Sequence, residues 1–534
     1  MSLRDLTQQF NQKKKNVLGM GGADEIAKQH AAGKLTVRER LDLLLDKNSF
    51  VEMGSLATSQ VEDAALGGKE TPADGVITGI GQIGGRRVCL IAYDFTVIAG
   101  SIGEAGERKA NRMRELALWE RIPIIWLLDS AGARIQEIAS SKFASTGKMF
   151  FDQVTLSGVV PQIAALMGPC AAGTAYIAAL ADFVPMVKGT SSMALAGPPL
   201  VKAVIGEDVL TEDLGGSKVH CEISGVGDLE VKDDKECISV IKKYLSYFPD
   251  HCQAKPIPQQ KNISVLPQSD RLSQLLSGSD ADEDRLDDDI LDILPASSRQ
   301  FYDMRNIITK IVDGNEFLEI KPKFGQGLIT ALARVGGFSV GFVASQPAYH
   351  GGVINVDESD KAARFINLCD AFNIPLIYLQ DVPGFMVGSE VEKKGIIRHG
   401  AKMLFATSRA TVPKITVIIR KAYGAGYYVM GGKAYGPDLI VAWPTAEVSL
   451  MGAEGAVNII YRKEIQKADD PEKKRKELVE EYQKKIALDV AAGGAYIDEV
   501  IDPRDTRKVI VETLKFSQNK KLEQPYKKHG VEPV

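Results

Sequence analysis

Ile122-Pro123-Ile124-Ile125-Trp126-Leu127-Leu128-Asp129-Ser130-Ala131-Gly132 and, 252 residues later, Ile374-Pro375-Leu376-Ile377-Tyr378-Leu379-Gln380-Asp381-Val382-Pro383-Gly384 decide the fold. Each is a short apolar run that ends in a carboxylate and a glycine turn. Apolar runs of this length, flanked by helical pattern, predict buried strands of a parallel sheet. Working outward, residues 75–134 and 327–386 align without a gap. About a third of the sixty positions are identical, where roughly four would match by chance. The matches include Gly75/Gly327, Ile77/Ile329, Thr78/Thr330, Gly84/Gly336, Gly85/Gly337, Lys109/Lys361, Arg112/Arg364, Pro123/Pro375, Asp129/Asp381 and Gly132/Gly384. Upstream in each copy a Gly-Gly turn leads into a short apolar strand (88–92 and 340–344). A helical stretch follows (106–119 and 359–372). Strand, helix and strand alternate, so the fold class is α/β in both halves. The period is a whole domain, which excludes a solenoid.

The turns after these strands are the first candidate site. Asp129-Ser130-Ala131-Gly132-Ala133-Arg134 and Asp381-Val382-Pro383-Gly384-Phe385 lie at the carboxyl edge of a sheet, where open α/β folds bind ligands. A small-residue turn before a helix also exposes unpaired backbone N–H groups. A second pair of turns repeats the arrangement. Residues 159–167 are strand-like and run into Gly168-Pro169-Cys170-Ala171-Ala172-Gly173-Thr174. Residues 414–419 are strand-like and run into Arg420-Lys421-Ala422-Tyr423-Gly424-Ala425-Gly426. Side chains are nearly absent at Ala171–Gly173 and Gly424–Gly426, so a ligand carbonyl could approach the backbone. Two N–H donors there could stabilise an enolate or similar oxyanion by about 3 kcal/mol or more. Plain helix packing by small residues is the competing explanation, and it is weakened by the recurrence in both halves.

Other signals point away from specific chemistry. Gly79-Ile80-Gly81-Gln82-Ile83-Gly84 spells a dinucleotide fingerprint, but a strand follows where a helix is required. Walker-type spacing is absent. The six cysteines form no CxxC pair, and the histidines show no paired metal spacing, so no metal site is expected. A net charge of −4 and a pI near 6.0 give no electrostatic case for nucleic acid or a membrane surface. No apolar run approaches a membrane span, and the N-terminus resembles no targeting segment, so a cytoplasmic protein is expected. Residues 1–50 read as charged helices, with Thr36 capping the one that carries Leu41, Leu43, Leu44 and Leu45. The charged run 464–485 reads as a solvated helix. Prolines at 256, 258 and 267 and seven carboxylates within 280–289 mark a connector. The expected organisation is a first domain over 1–260, an acidic connector over 261–295 and a second domain over 296–534.

Several strings then point to a family: DSAGARIQE (129–137), SGVVPQ (157–162), GPCAAGTAY (168–176), DVPGF (381–385), EKKGIIRHGAKMLFA (392–406), RKAYGAG (420–426) and VAWPTAE (441–447). Together they resemble the carboxyltransferase β subunits of biotin-dependent acyl-CoA carboxylases, most of all the propionyl-CoA type, from about residue 21 to 507. The resemblance implies two tandem crotonase-like domains and a homohexamer, with active sites between the first domain of one subunit and the second of its neighbour. It implies that Ala172 and Gly173 hold an acyl thioester oxygen as it becomes an enolate, and that Ala425 and Gly426 hold the biotin ureido oxygen. Ala131, Gly132, Ala133, Arg134, Gly384, Phe385 and Tyr428 would then contact the acyl-CoA, and Gly424 and Tyr427 the biotin. The freed biotin nitrogen would serve as base, which accounts for the lack of a catalytic histidine or carboxylate pair in the sequence.

This sequence departs from the propionyl pattern at Gly424-Ala425-Gly426-Tyr427-Tyr428, where that type usually reads GGAYD, and at Ala171-Ala172-Gly173, where it reads AGG. The GAG-Tyr string is nearer the methylcrotonoyl type, so a different or larger acyl group is expected. With no Met-Lys-Met biotinylation site and no ATP-grasp signal, a biotin carboxylase and a biotin carrier are expected partners. The cysteine-rich N-terminal zinc ribbon of some acetyl-CoA carboxylase β subunits is missing. Other readings are the reverse reaction in a sodium-pumping acyl-CoA decarboxylase, a biotin-independent hydratase or hydrolase, and a non-catalytic acyl-CoA-binding scaffold.

Overall fold

A computed structural model describes residues 1–61, 66, 68–138, 141–258, 288–297 and 300–534. The chain divides into two compact units, Met1–Ala254 and Lys255–Val534. Most of the expected acidic connector lies outside the described residues.

The first unit opens with three helices, α1 (Leu3–Leu18), α2 (Ala23–Ala31) and α3 (Val37–Leu44). Thr36 caps α3 as its sequence suggests: its hydroxyl accepts the Glu39 N–H, and the Glu39 carboxylate accepts the Thr36 N–H at 2.7 Å. Such a reciprocal cap is worth about 1 kcal/mol. Val37, Leu41 and Leu44 are buried, whereas Leu43, expected in the same stripe, is 43% exposed.

The sheet that follows comprises β1 (Val51–Met53), β2 (Val76–Ile83), β3 (Arg86–Tyr93), β4 (Ile124–Ser130), β5 (Gln162–Ala171), β6 (Pro185–Val187) and β8 (Leu229–Val231), with β7 (Ser192–Ala194) paired to β5. Strands β1–β3 are antiparallel, and β3 onward run parallel. The GxGxxG string therefore lies in β2 and its hairpin. Gly84 and Gly85 turn that hairpin with positive φ and donate their N–H groups to Asp46 at 3.0 and 2.7 Å. Helices α4 (Glu104–Glu120), α5 (Lys148–Leu156), α6 (Gly173–Leu180) and α7 (Asp234–Ser246) accompany the sheet.

The second unit repeats the plan. After α8 (Met304–Ile311), strands β9 (Phe317–Ile320), β10 (Leu328–Val335), β11 (Phe338–Ser345), β12 (Leu376–Val382), β13 (Lys414–Tyr423), β14 (Leu439–Ala442) and β16 (Glu499–Val500) form the path, and β15 (Glu447–Ser449) pairs with β13 as β7 does with β5. Its helices include α9 (Val356–Ala371), α10 (Ile396–Arg409), α11 (Gly424–Val429), α12 (Pro471–Ile486) and α13 (Thr506–Phe516). The charged stretch 464–485 is not one helix: Pro471 starts α12, with Asp470 as its cap.

Strands β4 and β12 are buried along their whole length, which accounts for their unbroken apolar runs. Between them and the helices sit two cores, one around Trp126 and one around Trp443. The matched lysines brace the two copies in the same way. Lys109 donates to the Ala73 and Val76 carbonyls, and Lys361 to those of Phe324, Gly325 and Leu328. Burial lowers their ammonium pKa to about 8 and about 7. The 252-residue offset continues past the aligned segment: β5 and β13 begin at Gln162 and Lys414 and end at Ala171 and Tyr423. Positive φ recurs in the same frame at Arg121/Asn373, Gly132/Gly384 and Ala172/Gly424.

Candidate active site

Each unit brings its two glycine turns against one another. Gly132 has φ of +92°, and a Cβ there would lie 2.8 Å from the Ala171 carbonyl oxygen. In the second unit a Cβ on Gly426 would lie 3.0 Å from Gly384 Cα and 2.8 Å from Val382 Cγ2. Only glycine allows these approaches. The turns after β4 and β5, and after β12 and β13, thus lie against one another in each unit.

The carboxylates at the ends of β4 and β12 hold these edges in place. Asp129 is fully buried and accepts Lys34 Nζ at 2.7 Å, Arg40 Nη1 at 2.9 Å and Gln29 Nε2 at 3.1 Å. Asp381 accepts Arg420 Nε at 2.9 Å and the Lys421 N–H at 3.1 Å. Gly168 and Arg420 occupy the same place in the repeat. In the second unit β13 supplies its own guanidinium. In the first, the bare Gly168 leaves room for Lys34 and Arg40, and a Cβ there would fall 1.8 Å from Asp129 Oδ1. Neither carboxylate is open for proton transfer: Asp129 is held by two cations and an amide, and Asp381 by a guanidinium and a backbone N–H.

Ala172 is the strained residue of the first turn, at φ 55° and ψ −119°. Its N–H donates to the Ala194 carbonyl on β7 at 3.0 Å. This corrects the expected pair of donors: the Ala172 amide is already engaged. Gly173 and Thr174 open α6, so their N–H groups have no intrahelical acceptor. The Thr174 hydroxyl turns back to the Ala171 carbonyl at 2.7 Å and closes the turn. In the second unit Gly424 takes the strained place, at φ +56°, and Gly424, Ala425 and Gly426 open α11. Ala425 is exposed and Gly426 buried. In the common frame Gly173 therefore matches Ala425, and Thr174 matches Gly426.

Other expected contacts are placed differently. The Arg134 side chain is fully buried, with Nη1 on Asp74 Oδ1 at 2.5 Å and on Glu137 Oε1 at 2.8 Å, and Nη2 on the Ser101 carbonyl at 3.0 Å. Its charge is spent on the fold, and it cannot reach a ligand as expected. Ala131 and Ala133 are exposed, though the Ala131 N–H is tied to the Ala99 carbonyl at 2.9 Å. Phe385 lies over Gly400 of α10, which has no side chain to displace it. Tyr428 is 46% exposed, with Tyr427 at 5.8 Å and Tyr435 at 6.0 Å between ring centres. The Tyr427 hydroxyl accepts the Lys433 N–H at 2.9 Å.

Sequence reasoning passed over two side-chain groups. The Tyr423 hydroxyl bonds the Glu447 carboxylate beside the second turn, and burial raises its pKa. His399 Nδ1 meets Asp360 at 2.8 Å, with Lys402 Nζ at 3.0 Å from the same carboxylate. The signal for the first was the β-like string around Glu447. The second spans two helices and left no local pattern. Among the described residues, no group of three or more His, Cys, Asp or Glu could hold a metal ion, and no helix is long and apolar enough to cross a membrane.

Comparison with known proteins places this architecture. A family model described as the carboxyl transferase domain matches residues 28–532. A propionyl-CoA carboxylase carboxyltransferase subunit from Haloferax mediterranei is 41% identical over 535 residues, covering 100% of both chains. A methylmalonyl-CoA decarboxylase α subunit from Propionigenium modestum is 41% identical over 528 residues, 98% of each. The crystal structure of transcarboxylase 12S, described as a hexamer and solved with methylmalonyl-CoA and methylmalonic acid bound, superposes with a TM-score of 0.91 at 44% identity, covering 100% of this chain and 99% of that one. That likeness confirms the two tandem crotonase-like α/β domains. With the family model spanning nearly all of it, the chain belongs to the carboxyl transferase family of biotin-dependent acyl-CoA enzymes.

Proposed function

We propose that this chain transfers a carboxyl group from carboxybiotin, borne on a separate carrier protein, to the α (or vinylogous) carbon of a short-chain acyl-CoA. The first unit takes the thioester and the second the biotin. The observation that carries the assignment is the strand–turn–helix element built twice, each copy leaving amides at a helix start without intrahelical acceptors.

At the first turn the Gly173 N–H, with that of Thr174, donates to the thioester oxygen as negative charge builds on it. One such donor contributes about 3–4 kcal/mol at the transition state. Gly132 keeps the floor of that site free of side chains. At the second turn the residues fit a cyclic urea oxygen: Gly424 and Gly426 present bare backbone, and Tyr427 offers a ring face beside it. Bound biotin supplies the carboxyl group and, once that has left, a base for the α-proton. Residues of this chain thus supply dipoles and position, and none has to titrate. The saturated Asp129 and Asp381 argue against a biotin-independent hydratase, which needs a free carboxylate.

The acyl group is propionyl or larger, with Tyr428 shaping its pocket. The assembly is a homohexamer served by a biotin carboxylase and a biotin carrier. The location is the cytoplasm, consistent with six cysteines held as thiols, five of them buried. The reverse reaction, decarboxylation, would use the same turns, and a relative of that name favours keeping it as the second reading. The test is reconstitution with carrier, biotin carboxylase, ATP and labelled bicarbonate over acetyl-, propionyl-, methylcrotonoyl- and longer-chain CoA. Label in one thioester is expected, and label in none overturns the proposal. Tyr428→Asp in the same screen checks the pocket: an unchanged substrate preference removes Tyr428 from it.

A further inference from the structure

The second turn carries a charge that the first lacks. Lys421 stands three residues before Gly424 on β13, and its partner across the strand pair is Glu447, the first residue of β15. Two residues later, the Tyr423 hydroxyl donates to the Glu447 carboxylate. At the matching places of the first unit β5 has Pro169 and Ala171, paired with Ser192 and Ala194. The duplication makes the comparison direct: the same backbone, with a lysine, a tyrosine and a glutamate added at one turn only.

Strand β13 holds three cations, and two of them are committed. Lys414 gives its ammonium to the Thr407 and Tyr435 carbonyls at 3.3 and 2.6 Å. Arg420 serves Asp381 at 2.9 Å and the Gln300 carbonyl at 3.2 Å. The backbone N–H of Lys421 is anchored on Asp381 at 3.1 Å, so its position on the strand end is fixed. Its ammonium is partly buried, yet it makes no hydrogen bond or ion pair among the described residues. Burial lowers its pKa, opposed by the charges of Asp381 and Glu447. Glu447 is meanwhile held by the Tyr423 hydroxyl. A partly desolvated ammonium that no described residue holds in a hydrogen bond or ion pair gains from an arriving anion.

We infer that Lys421 is the cation that binds the carboxylate in transit at the second turn, alongside backbone amides that hold a neutral oxygen. The ligand chemistry is the carboxylate of a carbamate, the carboxylated form of the cyclic urea that the second turn takes. This rests on the two-turn reading above and adds to it the group that recognises the transferred charge. It also gives a reason for the asymmetry: only the turn that receives the carboxylated partner needs a cation.

The test uses the full-length assembled protein and the biotin carrier in its carboxylated and uncarboxylated forms, probes that differ by one carboxylate. Lys421→Gln is expected to raise the KM for the carboxylated carrier about ten- to a hundredfold, the range for one lost charge-assisted bond. Binding of the uncarboxylated carrier, read by calorimetry, is expected to stay unchanged, which also shows that the variant is folded. Lys421→Arg is expected to keep the preference for the carboxylated form. The inference is overturned if Lys421→Gln leaves the KM for the carboxylated carrier intact, or if both forms weaken equally, which would mark a structural role. Failure of the wild-type protein to bind either form would instead overturn the two-turn reading itself.

Discussion

Replacing Ala172 by glycine should make the protein more stable, although glycine usually does the reverse. Ala172 sits at φ 55° and ψ −119°, a region that costs a residue with a Cβ about 1–3 kcal/mol. Glycine has no such cost there, but its freer unfolded chain takes back about 0.5–1 kcal/mol. The balance is a gain of about 0.5–2 kcal/mol. The reciprocal change lies in the other half. Gly424 holds the equivalent place at φ +56°, and a Cβ there would lie 3.1 Å from the Leu450 carbonyl oxygen. Gly424→Ala should therefore cost about 1–2 kcal/mol after its smaller entropic gain. Urea unfolding at neutral pH reads both. With a slope of about 2–3 kcal/mol per molar, each kcal/mol moves the midpoint by roughly 0.3–0.5 M. Ala172→Gly should move it up and Gly424→Ala down. A lower midpoint for Ala172→Gly would refute the strain argument, and with it the claim that the two turns are equivalent in frame.

Three more expectations follow from the same geometry. Gly168→Ala should destabilise the first unit by about 3–5 kcal/mol, because its methyl group would displace Asp129 from Lys34 and Arg40; thermal unfolding reads this. Arg420→Met should cost the second unit a similar amount by leaving Asp381 buried without its guanidinium, and a double change with Asp381→Asn should recover part of the loss. The Asp46 carboxyl pKa is lowered by the Gly85 and Gly84 amides, so its contribution is full above about pH 4 and is lost as the pH falls through the lower folded value. Asp46→Asn should then be slightly less stable than wild type at about pH 7, with the difference closing as the pH falls well below about 4, measured by urea unfolding at neutral and acid pH.

Much of this architecture was legible because duplication writes its own register. The unbroken apolar runs of β4 and β12, the Thr36 cap and the Gly84-Gly85 hairpin follow from local rules, and each is found in the structure. The second pair of turns was harder. By appearance Ala171–Gly173 pairs with Gly424–Gly426, yet the fold aligns Ala172 with Gly424, as the strand ends and the backbone angle at Ala172 show. The engaged Ala172 amide depends on β7, a strand of three residues with little pattern of its own. Arg134 looked like a ligand contact because it ends a conspicuous motif. Its partner Asp74 lies sixty residues upstream in a turn whose positive φ no sequence rule marks. The same holds for Lys34 and Arg40, whose role becomes visible only once Asp129 is seen buried beneath them.

The claim that each unit contributes one oxygen-binding turn to a carboxyl transfer is tested most directly by labelled carboxyl transfer in the reconstituted complex, comparing wild type with Gly173→Val and Ala425→Val. Both variants should keep the wild-type assembly and bind the carrier. Each should lose about a hundred- to a thousandfold in turnover, as expected when an oxyanion donor is blocked. Turnover within a few-fold of wild type in either variant would contradict the account for that turn, and no label transfer by the wild-type complex would contradict it for both.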